Sequence, residues 1–185
     1  MSWQAIVPLK GHGERKTRLA GRLSADERHR LGQRLFDHVM GVLRSHDAIS
    51  HITLLSDLCP GGWQELFFPD QGRGLNVELS SFVETMRPGP LLVIHADLPL
   101  LLRQDVTLLL AQAEQGCAIA PDLHGSGTNA IALHDPSDFM FAFGPDSFAR
   151  HRAAAEDARI VVRRGLGLDI DTPDDLDSAI ALGFS

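Results

Sequence analysis

The sequence predicts an α/β three-layer sandwich, a mixed and mostly parallel sheet covered on both faces by helices. Short apolar runs such as Ala5–Leu9 and Leu91–Ala96 are too unbroken for strands with one wet face. Between them lie stretches with helical spacing, of which Leu31, Leu35, Val39, Val42 and Leu43 form the clearest. The two patterns alternate along the chain, as they do in layered α/β proteins.

The elements follow in order. Ala5 to Leu9 reads as a buried first strand that ends at a loop of glycines and cations. Ser24 with Glu27 forms a capping box and opens a helix to about Ser45. His51 to Ser56 reads as a second strand and Gln64 to Phe68 as a shorter third. Gly72 and Gly74 punctuate a loop before a helix over Leu75 to Met86. Leu91 to Ala96 is a strand ending at Asp97, and Arg103 to Gln115 repeats Val106, Leu109, Leu110 and Ala113 on one helical face. Cys117 to Ala120 and Asn129 to Leu133 read as strands, and Phe139, Phe141 and Phe143 alternate as a core-facing β segment would. Gly144 and Pro145 open a helix to Glu156. Ile160 to Arg163 and Leu168 to Ile170 read as short strands. Thr172 caps a last helix, with Pro173 at its first position and Gly183 at its end.

The length of 185 residues fits a single domain over 1–185. No apolar run approaches the roughly 20 residues of a membrane span. The N-terminus lacks the features of a signal peptide. The two cysteines, Cys59 and Cys117, are too few for a disulfide framework, so a cytoplasmic protein is expected. The net charge of -7 argues against nucleic acid as a partner. Cations nevertheless concentrate at Lys10, Arg15, Lys16, Arg18 and Arg22, and acids at Asp169, Asp171, Asp174, Asp175 and Asp177. A basic loop on an acidic chain suits either a small anionic ligand or plain solvation.

In sheets of this type ligands lie beyond the carboxyl ends of the strands. The basic loop after Leu9, Asp97, and Asp169 with Asp171 all fall at such ends. Asp97, locked by Leu98-Pro99, is placed either to hold a hard cation or to cap the following helix. Asp169 and Asp171, two apart on an extended chain, point to one side. Mg²⁺ takes such carboxylates and leaves positions for phosphate. Asp171 could instead support the cap at Thr172, a role that leaves Asp169 unexplained.

The loop from Lys10 to Leu19 lacks the GxxxxGK[ST] phosphate loop and the GxGxxG fingerprint. Gly125-Ser126-Gly127-Thr128-Asn129 lets a ligand approach the backbone. Phe143-Gly144-Pro145-Asp146-Ser147 opens a helix whose free N–H groups favour an anion. Either stretch also reads as ordinary turn chemistry. His95, His124, His134 and His151 show no HxH or HExxH spacing and read as structural.

Several motifs taken together resemble a known family. They are Ile6-Val7-Pro8-Leu9-Lys10 with Lys16-Thr17-Arg18-Leu19-Ala20, Gly74-Leu75-Asn76, Ala96-Asp97-Leu98-Pro99-Leu100, Gly125 to Asn129, Phe143 to His151, and Leu168-Asp169-Ile170-Asp171-Thr172-Pro173. In this order they are similar to the 2-phospho-L-lactate / phosphoenolpyruvate guanylyltransferases of coenzyme F-420 biosynthesis. The loop Gly11 to Arg15 is more polar than is usual there, and 57 to 69 departs from the pattern.

The resemblance implies a nucleotide-diphospho-sugar-transferase type of fold, Rossmann-like, and transfer of GMP from GTP to a small phosphorylated carboxylic acid. It implies Mg²⁺, as two ions, on Asp97, Asp169 and Asp171. It assigns Lys10 and Arg18 to the phosphates, Lys10, Gly74, Leu75 and Asn76 to the nucleotide, and Thr128, Gly144 and Ser147 to the acceptor. Lys10, Arg18 and Asp97 are then the catalytic set, and a homodimer is compatible with it. Asn76 is expected to pair with the guanine edge, or else to cap its helix. Two alternatives stand beside this reading: a molybdenum-cofactor or sugar nucleotidyltransferase on the same fold, and a nucleotide-binding regulator without catalysis.

Overall fold

The computed structural model describes residues 2–9 and 16–184. Its strands are β1 (Trp3–Pro8), β2 (Ile49–Ser56), β3 (Leu66–Pro69), β4 (Leu91–Ile94), β5 (Cys117–Pro121), β6 (Thr128–Leu133) and β7 (Arg159–Ile160). Its helices are α1 (Ala25–Arg44), α2 (Leu75–Thr85), α3 (Arg103–Gln112), α4 (Ser147–Ala154), α5 (Arg164–Gly167) and α6 (Pro173–Ala181), with a 3-10 turn at Thr17–Leu19.

The strands form one sheet in the order β3-β2-β1-β4-β6-β5-β7. Among the described residues β6 alone runs against its neighbours, β4 and β5, and every other pairing is parallel. This reversal positions the site: the carboxyl ends of β1, β4 and β5 and the beginning of β6 share one rim.

Side chains of successive strand residues go to opposite faces, so each inner strand contributes to two cores. Ala5 and Val7 of β1, with Leu92 and Ile94 of β4, pack under Phe36, Val39 and Met40 of α1 and Val106 and Leu109 of α3. Ile6, Leu91 and Val93 face the other way, against Leu79 and Phe82 of α2 and the rings of Phe141 and Phe143. A third cluster joins Leu31 and Leu35 of α1 to Leu176 and Ala179 of α6, and includes Leu19, Leu168 and Ile170. The layered sandwich expected from the sequence is therefore the observed one.

Helix boundaries follow local chemistry. Both arms of the Ser24/Glu27 capping box are present, and Thr172 forms a second box with Asp175. Helix α4 begins at Ser147 rather than Pro145, because Gly144 at φ +116° and Asp146 at φ +53° adopt turn conformations first. Phe139 to Phe143 keeps its alternating burial without joining the sheet. Side chains replace the ladder there: Asn76 bonds the backbone of Phe143, and His151 accepts the Ala142 N–H.

Leu168 to Ile170 is extended but is not a strand, since the N–H groups of Leu168 and Ile170 are met by the Arg164 and Asp97 carbonyls instead of a neighbour strand. The preceding segment is a strand only at Arg159–Ile160, and the chain then turns into α5.

Helix α5 sets the direction from which Asp169 enters the site. Its seat is the buried Asp105, whose carboxylate accepts from Leu102 N–H and from Arg163 Nε at 2.9 Å. Gly165 lies on that carboxylate. A Cβ there would meet Asp105 and would stand 2.6 Å from the Leu100 carbonyl oxygen. Gly165→Ala should therefore lower stability by about 1–3 kcal/mol, the usual cost of overpacking a closed interior. Urea unfolding measures it, and an unchanged midpoint would show that α5 is not seated this way.

Candidate active site

Three carboxylates meet at the rim. Asp97, Asp169 and Asp171 offer oxygens that all lie within 4.8 Å of one another. Asp97 leaves the end of β4. The other two arrive on the extended chain after α5, where Ile170 N–H donates to the Asp97 carbonyl at 3.3 Å. Ile170 is fully buried, so its flanking aspartates straddle Asp97 from one side. The cap of α6 belongs to Thr172 and Asp175, which leaves the Asp171 carboxylate for the cluster. Asp97 Oδ1 is buried and has no hydrogen-bond partner among the described residues.

Lys16 lies between these groups. Its ammonium donates to Asp97 Oδ2 at 2.6 Å and to Asp171 Oδ1 at 3.3 Å, with only 8% of its side chain exposed. The residue sits at φ +56°, a conformation unusual outside glycine, and caps the 3-10 turn anchored by buried Leu19. Arg18 is 73% exposed and stands 3.7 Å from Asp171. The expected grip of Lys10, and the loop 11 to 15, lie outside the described residues.

The carboxylates answer differently to their surroundings. Burial is the largest influence on Asp97 and opposes its ionisation, but the charges of Lys16 and His95 and the hydrogen bond from Lys16 together outweigh it and hold its pKa below the usual range. Burial, then the charges of Asp97 and Asp171, pushes Asp169 up to about 6 despite the hydrogen bond from Asn129. For Lys16, burial is outweighed by Asp97 and Asp171, and its pKa is raised. Among the described residues three acids face the Lys16 ammonium and the exposed Arg18 guanidinium, an excess of negative charge. Hard oxygen donors with an orphaned buried oxygen among them fit a divalent cation such as Mg²⁺.

Asn129 joins this cluster to its neighbours. A register shift at Ala120/Pro121 interrupts the β5–β6 ladder, and bulges of this kind re-aim side chains. The buried Asn129 amide donates to the carbonyls of Leu166 and Gly167 and to Asp169 Oδ1 at 3.1 Å. Thr128, next in the chain, faces α4, where His151 Nδ1 is 3.0 Å from its hydroxyl. Phe148 N–H also bonds the Ser126 carbonyl. Thr128, Gly144 and Ser147 are thus brought into one neighbourhood, with Thr128 and Ser147 both buried.

Asp122 shapes the loop before Thr128 by accepting from the N–H groups of Ser126 and Gly127. A Cβ at Gly127 would stand 2.7 Å from that carboxylate and would displace it.

Gly74, Leu75 and Asn76 open α2 beside the same region. The Asn76 side chain is engaged within the protein. Its Nδ2 donates to the Phe143 carbonyl at 3.1 Å and its Oδ1 accepts the Phe143 N–H at 2.7 Å. Its amide therefore grips the loop at Phe143 through both of its polar atoms. The sequence assigns no such roles to Lys16, Asn129 and His151. All three lie in the motifs that carry the resemblance, but only the folded contacts give them these roles.

Comparison with known proteins settles the family. The model of the guanylyl transferase CofC-like family matches residues 3–183. The chain belongs to that family. The phosphoenolpyruvate guanylyltransferase of Sphaerobacter thermophilus is 37% identical over 191 residues, covering 96% of this chain and 92% of the relative. That of Conexibacter woesei is 33% identical, with 96% and 87% covered. Among solved structures, an assigned nucleotide-diphospho-sugar transferase of Desulfovibrio desulfuricans shares the fold at TM-score 0.76 and 19% identity, covering 96% of this chain and 86% of that one. The 2-C-methyl-D-erythritol 4-phosphate cytidylyltransferase of Thermus thermophilus matches at TM-score 0.63 and 15% identity, with 96% of each chain covered. This member of the CofC-like family is accordingly a nucleotidyltransferase. Among the described residues no helix is long and apolar enough to cross a membrane.

The raised Asp169 pKa has two measurable consequences. A cation has to displace the proton that Asp169 carries below about pH 6, so divalent-ion affinity should fall about tenfold per pH unit below that point. In the metal-free protein, the folded state holds more protons than the unfolded one between about 3.9 and the raised value. Stability therefore declines as pH rises through that window. Asp169→Asn should raise the pH 7 stability of the metal-free protein by about 1–2 kcal/mol while abolishing the Mn²⁺-induced rise in Tm. An ion-induced shift that is the same at pH 5 and pH 7 would remove Asp169 from the cation site.

Proposed function

We propose that this protein transfers the GMP unit of GTP to a small phosphorylated carboxylic acid, phosphoenolpyruvate first among them, and releases pyrophosphate. With Mg²⁺ as cofactor, this is a step suited to coenzyme F-420 biosynthesis. The observation that carries the reading is the adjacency of two half-sites. Asn129 contacts the carboxylate cluster, while the preceding Thr128 contacts the α4 region that would receive an acid.

An oxygen of the acceptor phosphate attacks the α-phosphorus of GTP, and the bond from that phosphorus to the bridging oxygen of the leaving pyrophosphate breaks. The attacking phosphate is already an anion at neutral pH, so no side chain has to remove a proton. The protein's contribution is alignment and neutralisation, the main terms in phosphoryl transfer. Asp97, Asp169 and Asp171 would hold the cation, which supplies positive charge at the triphosphate oxygens. Lys16 and Arg18, already at the cluster, offer further charge to the leaving group. Lys10 is assigned to the same phosphates by its place in the motif. Thr128, Ser147 and the backbone at Gly144 would hold the acid, at the beginning of α4. Base choice falls to backbone groups around Gly74 and Leu75, because the Asn76 amide is engaged with Phe143.

The direct test is incubation with GTP and Mg²⁺, adding phosphoenolpyruvate, 2-phospho-L-lactate or 3-phosphoglycerate in turn. Pyrophosphate release should require an acid and should exceed that with ATP. Release without any acid, or equal use of ATP, would sink the guanylyl-transfer assignment. Ser147→Ala should raise the acceptor KM about tenfold, the worth of one hydrogen bond to a charged group, and leave the GTP KM in place. Asn76→Ala should likewise act on the acceptor KM through the loosened Phe143 loop. A loss of GTP-over-ATP preference instead would restore Asn76 as the base reader.

A further inference from the structure

His151 is fully buried on α4, one turn beyond Ser147, and touches the acceptor neighbourhood with both ring nitrogens. Its Nε2 lies 2.9 Å from the Ala142 amide nitrogen. A backbone N–H can only donate, so Nε2 is the acceptor and carries no proton. A neutral imidazole then bears its hydrogen on Nδ1. That nitrogen is 3.0 Å from Thr128 Oγ1, and the bond therefore runs from His151 Nδ1–H to the threonine oxygen. Burial first, and then the Arg150 and His95 charges, push the His151 pKa down to about 4, which keeps the ring neutral at working pH.

The ring has little freedom. Phe143 meets it edge-on at 4.7 Å between centroids, and Phe139 stacks on it at 5.9 Å. Phe143 is fixed in turn by the Asn76 amide.

We propose that His151 is a positioning residue for the acceptor: by donating to the Thr128 hydroxyl it fixes that hydroxyl as a donor toward the anionic group of the phosphorylated acid. The proposal rests on the acceptor reading of Thr128 given above. A hydroxyl has one proton, and left alone it rotates between donating and accepting. Carboxylate and phosphate oxygens at neutral pH are acceptors. With one of its lone pairs engaged by the His151 N–H, the Thr128 hydroxyl is oriented with its proton left for such a ligand and needs little reorganisation when the acid arrives. The second nitrogen, through Ala142, holds the chain that leads into Gly144 and Ser147.

The test uses the full chain with GTP, Mg²⁺ and phosphoenolpyruvate. The variants are Thr128→Val, His151→Gln, His151→Asn and the double variant Thr128→Val/His151→Gln. An asparagine amide nitrogen falls near the Nδ1 position of histidine, and a glutamine one near Nε2. Thr128→Val and His151→Gln should each raise the acceptor KM about tenfold with the GTP KM unchanged. His151→Asn should recover most of that loss, and the double variant should be no worse than Thr128→Val alone.

Equal effects of Gln and Asn, full additivity in the double variant, or a parallel rise in the GTP KM would overturn the proposal and leave the acceptor site standing. An unchanged acceptor KM in Thr128→Val would instead remove Thr128 from the acceptor site, and this proposal with it. Nitrogen-15 shifts of His151 in the wild-type protein test the same point without a variant. The Nδ1-protonated neutral ring is expected, and the Nε2-protonated form overturns the proposal.

Discussion

Three carboxylates held within 4.8 Å of one another repel, and the surrounding structure has to oppose that repulsion. The sheet brings Asp97 to the rim at the end of β4. The Ile170 amide ties the second stretch of chain to the Asp97 carbonyl, and Asn129 holds Asp169 by a side-chain hydrogen bond. Lys16 supplies the opposing charge, in a backbone conformation that side-chain-bearing residues seldom adopt. The raised pKa of Asp169 beside the lowered pKa of Asp97 shows how far one ammonium reaches: it satisfies the carboxylate it touches and leaves its neighbour to burial and like charge.

The rest of the site is arranged outward from that cluster by polar contacts of modest size. Asn129 and Thr128 are consecutive and serve opposite halves, because successive side chains of a strand go to opposite faces. His151 continues the line from Thr128 to Ala142, and Asn76 from Phe143 to the start of α2. The His95 ring stands 5.5 Å from that of Phe143, two residues before Asp97. The carboxylate cluster, the region of Thr128 and His151, and the start of α2 are therefore joined by direct contacts. A displacement of any one is felt by the others, since close-packed interiors transmit small shifts.

Much of the scaffold is legible in the chain. The helical apolar spacing of α1, its Ser24/Glu27 box and the Thr172-Pro173 opening of α6 are local devices, set by residues within a few turns of each other. The unbroken apolar runs of β1 and β4 declare burial on both faces. Where sequence and structure part, the cause is non-local. Leu168 to Ile170 has strand-like composition, but no strand lies beside it among the described residues. Phe139 to Phe143 alternates as a strand does, yet side chains from α2 and α4 take its backbone bonds.

The sequence by itself determined the fold class and, through its ordered motifs, the family and the three aspartates, because those signals are residue types at fixed spacing. The tertiary structure alone decided that Lys16 stands among the carboxylates, that Asn129 bridges α5 to Asp169, and that the Asn76 amide grips a loop. The physical reason is that a hydrogen bond acts over about 3 Å in space whatever the separation along the chain. Lys16 and Asp171 are 155 residues apart in sequence and 3.3 Å apart in the fold.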